Sequence, residues 1–216
     1  MTATLLGSVV HGFDNATNTV TSPNHTLLAG NNRVVLVGIV GGNAAARTVS
    51  AITYGGQAMT EIFYDHVSGN SGHFVGLYEL REGSLPGDGV RTATVTMSDD
   101  CADLGIIVLS IQDASQSGAE DVDSSHTSGV GSTLTLSISN GSFQFDVVSK
   151  ASDGESGVPG ANQTERWDGD IGNRRALSST ASVEATMSWT WNNRFFYHAA
   201  ASWTVDEGFI PRASMF

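Results

Sequence analysis

The stretch Val49 to Ile62, VSAITYGGQAMTEI, places two runs of β-compatible residues on either side of the pair Gly55 and Gly56. Glycine reaches positive φ without steric penalty, and a two-residue primed turn needs that conformation. The segment therefore predicts a β-hairpin. The same strand-and-turn pattern extends in both directions. Residues 33–40, RVVLVGIV, are continuously apolar and rich in β-branched side chains, as expected of a central strand covered on both faces. Residues 73–80 (HFVGLYEL) predict a further strand, and 91–97 (RTATVTM) another. In the latter, Ala93, Val95 and Met97 share one face and Thr92, Thr94 and Thr96 the other, so one wall is buried and one wet. Residues 104–111, LGIIVLSI, return to the doubly covered pattern, and the acidic stretch 113–123 reads as an exposed crossing.

Beyond that crossing, 132–138 (STLTLSI) alternates again, Asn140-Gly141 suits a type I′ turn, and 143–149 (FQFDVVS) is expected to complete a second hairpin. Residues 151–162, ASDGESGVPGAN, read as loop, followed by strands at 163–167, 173–180, 185–191 and 195–205. At the N-terminal end, 4–10 predicts a first strand and 14–32 a polar arm; the C-terminal segment 206–216 reads as a tail with an apolar end at Met215 and Phe216. An apolar strand, a hairpin-rich stretch and a small-residue apolar strand occur in that order twice. The first runs from RVVLVGIV to LGIIVLSIQD and the second from FQFDVVSKASD to FYHAAASW. The expected fold is all-β: a two-sheet antiparallel β-sandwich, jelly-roll-like, built from two related halves with very little helix, as one domain over residues 1–216.

The chain carries a net charge of −12 and its basic residues are arginines except for Lys150. Such a surface repels phosphate backbones and anionic membranes, so neither nucleic acid nor membrane is an expected partner. The single cysteine, Cys101, lies beside Asp99, Asp100 and Asp103, whose charge disfavours a thiolate. The beginning of the chain, MTATLLGSVVHGF, has no basic n-region and no long apolar stretch, and the expected site of synthesis is a cytoplasm.

Candidate chemistry is sparse. His11, His25, His66, His73, His126 and His198 include no pair at metal-ligand spacing. The run from Asp168 to Asn173 alternates oxygen-bearing side chains but lacks the pattern of a calcium loop, and Asp99, Asp100, Asp103, Asp121 and Asp123 read as solvated loop acids. Glu165 beside Trp167 and Asp168 is the one cluster reminiscent of a glycosidase carboxylate pair. Gly38, Gly41 and Gly42 follow a strand without opening a helix, so they punctuate and do not cradle phosphate. No catalytic, cofactor-binding or metal-binding residue is assigned, and no enzymatic activity is expected.

The motifs V-x-x-I-x-Y-G-G-Q-x-M-T (49–60), L-Y-E-L (77–80) and T-E-R-W (164–167), with the closing alanine-rich aromatic strand, resemble a recurring β-sandwich group of tailed-phage and bacterial genomes. Some of that group look like virion structural components. Over roughly residues 30–205, the resemblance implies a capsid decoration or cement protein at the virion surface, homotrimeric and bound to the major capsid protein. The alternative is a carbohydrate- or receptor-binding module of a phage tail or adhesin, for which Trp167, Trp189, Trp191 and Tyr197 are the candidate contact residues.

Overall fold

A strand that is apolar on both faces can be stable only where each face meets another apolar layer. The architecture answers that requirement twice. A computed structural model describes residues 2–43, 45–67, 72–138, 141–151, 155–182 and 186–205, without the side chains of 128–132 and 192–194. The first part of the chain forms β1 (Thr4–Leu5), β2 (Val10–Thr21), β3 (His25–Leu27), β4 (Val34–Gly42), β5 (Val49–Tyr54), β6 (Gln57–Ala58), β7 (Thr60–Val67), β8 (His73–Arg81), β9 (Gly89–Arg91) and β10 (Ala93–Gln112). The second forms β11 (Asp121–Ser137), β12 (Phe143–Ala151), β13 (Val158–Pro159), β14 (Thr164–Asp170), β15 (Arg174–Ala181) and β16 (Thr186–Trp203). Among the described residues the only helix is one 3-10 turn, Glu82–Ser84.

Each part builds its own antiparallel sheet, and the two sheets share a plan. The first runs β6-β5-β10-β4-β8-β7, with β2 and β1 on the other flank of β10; the second runs β11-β16-β12-β15-β14, with β13 on β16. Strands β2, β10, β4, β8 and β7 thus correspond to β11, β16, β12, β15 and β14. The correspondence reaches individual residues. Ile107 lies between Gly38 and His11, as Ala199 lies between Val147 and Ser124. Gly38 opposes Leu77, as Val147 opposes Ser178. Even a bulge recurs: β7 slips register on β8 between Glu61 and Phe63, and β14 slips on β15 between Glu165 and Trp167. The local sequences are T-E-I-F and T-E-R-W. The expected duplication is therefore visible in strand order, register and irregularity together.

The sheets pack face to face. Leu36, Val40, Leu77, Ile107, Phe145, Val147, Ala199 and Trp203 share the buried core between them. The alternate residues of β4, Val35, Val37 and Ile39, belong to a second core with Ile52, Tyr54, Val95 and Met97. That second core exists because β10 bends. Its C-terminal half pairs with β4 and its N-terminal half with β5, across a register break between Thr96 and Cys101. Strand β16 does the same, pairing with β12 and then with β13. Its N-terminal half carries Trp189 and Trp191 into an outer core with Val148, Leu177 and Phe196.

The Gly55-Gly56 hairpin forms as expected, with both residues at positive φ (56° and 83°) and Tyr54 opposite Gln57. The second hairpin does not. Residues 132–138 pair with β16, and β12 lies on the far side of β16, so the two segments are not partners; Asn140 itself lies outside the described residues. A two-residue turn signal is a local preference, whereas β16 pairs with β11 from Asp121 to Ser137. Residues 93–97 and 104–111 lie in the two halves of the one strand β10, with Arg91 ending β9, and 185–191 with 195–205 largely form β16, because the polar interruptions are bends and not loops. The polar arm begins within β2, whose later residues are polar because they lie on a sheet flank where Thr19 and Thr21 meet Thr96 and Thr94. The predicted tail at 206–216 lies outside the described residues.

The sheets approach closely at Gly38. A Cβ there would collide with Val147 Cγ1 and come within 2.9 Å of Ile107 and 3.1 Å of Phe145. Gly38→Ala is expected to destabilise the protein by roughly 1–3 kcal/mol through overpacking, measured by urea denaturation. Gly83→Ala, where a Cβ meets nothing within 4 Å, is the control and should leave the midpoint nearly unchanged.

Candidate functional site

Among the described residues, a dense cluster of buried polar chemistry surrounds Asp146. In the segment FQFDVVS, strand alternation directs Phe145 and Val147 toward the inter-sheet core and Asp146 toward the outer face. There the carboxylate accepts hydrogen bonds from Ser179 N (2.5 Å) and Ser179 Oγ (2.9 Å) on one oxygen. The other oxygen receives Trp189 Nε1 (2.9 Å), His198 Nε2 (3.0 Å) and Gln163 Nε2 (3.4 Å). Asp146, Ser179, Trp189 and His198 are all fully buried.

Serine, histidine and aspartate in contact invite comparison with a nucleophilic triad, but the connectivity is different. In a triad the serine hydroxyl is bonded to the imidazole, which removes its proton. Here both serine and histidine donate to the carboxylate, and His198 Nδ1 is buried without a partner. Among the described residues no imidazole faces the Ser179 hydroxyl, which is fully buried. The arrangement instead fastens β12, β15 and both halves of β16 to one anion. The corresponding positions of the first half, Val37, Tyr78 and Ile106, belong to an apolar core.

The other internal ions are also engaged. Buried Glu79 accepts from Trp203 Nε1 (3.0 Å) and pairs with Arg81. Arg175 pairs with Asp168 and with Asp170 (3.1 Å), and Arg33 with Asp88 and Glu82. The Arg33 guanidinium holds the Glu82 carboxyl below its usual range. Tyr197 donates to Asp65 across the sheets. Ser149 Oγ donates to Gly41 O (2.7 Å), so His73 Nδ1 is the donor to Ser149 Oγ (3.0 Å). Burial lowers the His73 pKa to about 3, with the Arg174 charge adding to the effect, and lowers that of His25 to about 4.

The structure disperses the residues singled out in the sequence. Trp167, Trp189, Trp191 and Tyr197 are all buried, so none presents a face to a sugar. Asp168 is bound to Arg175 while Glu165 is exposed, and the two do not form a carboxylate pair in a cleft. Cys101 is buried, which together with its acidic neighbours pushes the thiol up to about 11. Asp103 receives the Asn173 N–H (2.9 Å), while Asp99 and Asp100 are exposed. Among the described residues no group of three or more His, Cys, Asp or Glu is placed to hold a metal ion. The sequence reading missed Asp146; a lone carboxylate in an otherwise apolar strand was the available signal. No family model, curated protein or solved structure matches the chain.

Asp146→Ala would leave the Trp189, Ser179 and His198 donors buried without an acceptor. It is expected to cost roughly 3–5 kcal/mol in denaturant unfolding, and Asp146→Asn less, since one acceptor oxygen remains. A second expectation concerns pH. An unfolded histidine binds its proton near pH 6.5, whereas folded His25 and His73 do so only near 4 and 3. Between those values the unfolded chain holds more protons, so stability falls as pH drops from about 6.5 toward 4. His73→Gln should flatten that slope in urea midpoints measured across the window.

Proposed function

We propose that the chain is a virion structural protein, a capsid decoration or cement protein that binds the outer surface of the shell as a homotrimer, with the major capsid protein as partner. The observation that carries the reading is the internal use of the polar chemistry. Asp146, Glu79, Arg175 and His73 join strands to one another inside a doubly covered sandwich. Catalysis needs such groups aimed at a space a substrate can enter. What the molecule offers outward is the surface of a chain with net charge −12.

Two features support a role in assembly. Strands β7 and β14, at the ends of their sheets, carry bulges, a device that discourages uncontrolled strand pairing and leaves recognition to loops and side chains. Attachment at many copies on a regular shell then strengthens weak individual contacts through high effective concentration. The acidic surface complements basic patches on a capsid exterior. The T-E-R-W and L-Y-E-L motifs add the resemblance to phage particle proteins. The carbohydrate-binding alternative loses the four aromatic residues on which it rested, since all are buried.

Light scattering on the purified protein should return the mass of a trimer, and the protein should co-sediment with undecorated capsids of its source phage. Binding should weaken as salt approaches 1 M, where the screening length is about 3 Å. A monomer that leaves capsids bare at low salt overturns the proposal.

A further inference from the structure

The two halves differ at one bulge in a way the fold does not require. At the first, Ile62 is partly buried against the inter-sheet core. At the second the corresponding residue is Arg166. It lines a cleft of about 210 Å³ where the N-terminal residues Ala3–Leu5 pass the ends of β12, β14 and β15. A bulge re-aims a side chain, and this one directs a cation into a concavity.

Arg166 also differs from the other described arginines. Arg33, Arg47, Arg81, Arg174 and Arg175 each face a carboxylate, and Arg91 donates to the backbone carbonyls of Pro86, Asp88 and Val90. Arg166 makes a single bond to a neutral group, from Nε to Thr180 Oγ1 (2.8 Å). Among the described residues no carboxylate pairs with it. Its neighbour Glu165 feels Asp168 and Arg175. The chain has 22 acidic residues, yet among the described residues this half-buried arginine has no acid beside it, and a partly desolvated cation gains from an anionic partner. Fixing Nε on Thr180 leaves both terminal nitrogens to form a planar fork, the geometry that grips a carboxylate by two bonds. Burial lowers the Arg166 pKa, which reports a partly desolvated charge that gains more from a counter-ion than an exposed one.

The rest of the cleft narrows the ligand. Thr4, Thr164 and Ser182 supply hydroxyls and Asn162 an amide, groups that both donate and accept, while Leu5 and Phe143 supply apolar surface. Its volume lies below the ~300–1,000 Å³ of sites for drug-sized molecules, so it suits a single ring. The net charge of −12 penalises a dianion about twice as strongly as a monoanion. We propose that the Arg166 cleft binds a small hydroxylated monocarboxylate of the size of a hexuronic acid, its carboxylate on the guanidinium and its hydroxyls on the surrounding threonine, serine and asparagine side chains. The proposal is independent of the capsid reading.

The test is a two-dimensional amide NMR titration of the full chain with D-glucuronate and D-galacturonate, compared with glucose, acetate and inorganic phosphate. Saturable shifts at Thr164, Thr180 and Arg166 with at least one uronate are expected, with glucose and acetate binding about tenfold more weakly or worse. Arg166→Gln should weaken uronate binding about tenfold or more, and Arg166→Lys, which keeps the charge and loses the fork, should also weaken it. Thermal melts report whether each variant folds, and the shift map of the unaltered protein does not depend on them. No saturable shift with either uronate, acetate binding as well as uronate, phosphate binding more tightly, or a folded Arg166→Gln that binds unchanged overturns the proposal.

Discussion

Two sheets can come into contact over a broad face only if their central strands leave room for each other, and here the room is a missing side chain. Gly38, midway along β4, lies against Val147, its counterpart on β12. Because equivalent positions meet, the halves are related by an approximate two-fold axis through this contact. Everything farther out inherits that relation. Near one edge Phe63 of β7 meets Tyr197 of β16 edge-on, with ring centroids 6.4 Å apart. Near the other, the corresponding Trp167 of β14 lies over Gly105 of β10, where a Cβ would sit 2.8 Å from the indole. A large ring over glycine and a smaller ring beside tyrosine fill similar space, so volume is conserved across the axis while identity is not.

The inner faces are constrained by this mutual packing, and the outer faces are where the halves have diverged. Behind β4 the space is closed by Val37, Ile106 and Tyr78 in an apolar core, whereas behind β12 Asp146, His198 and Ser179 form a polar hub that Trp189 completes. A buried carboxylate with several donors is no more stabilising than good apolar packing, but it demands one geometry. It therefore specifies how the bent strand β16 lies back on its own sheet. The first half reaches the same bend with a register break in β10 and the Gly55-Gly56 turn that returns β5.

Charge follows a similar division. Buried Glu79 and Asp146 are bonded inside the sandwich, and the exposed Asp88, Asp99 and Asp170 face arginines, whereas the cleft at the second bulge holds an arginine that no described acid neutralises. An acidic exterior repels most anions, so an anion that does bind must be held by local geometry and not by the general field. That combination suits a surface that meets a large charged partner broadly and a small carboxylate at a single place.

Much of the fold was legible in the sequence because the signals are local and periodic. Strand β4 was read from its apolar run, the alternation of Ala93, Val95 and Met97 from period two, the first hairpin from paired glycines, and the duplication from the recurrence of whole segments. What the sequence left undecided depends on contacts between distant residues. Asn140-Gly141 indicates a hairpin as strongly as Gly55-Gly56, yet β16 inserts between its expected arms, since pairing along all of β11 outweighs one turn. The aromatic residues of β14 and β16 look alike in sequence whether they face a sugar or a core, and only the closing of one sheet on the other buries them. Asp146 and Arg166 were likewise one acid in an apolar strand and one base in a polar one. The tertiary structure surrounded the first with donors and placed no described acid beside the second, because the folding of bent strands and a bulge determines which charges meet.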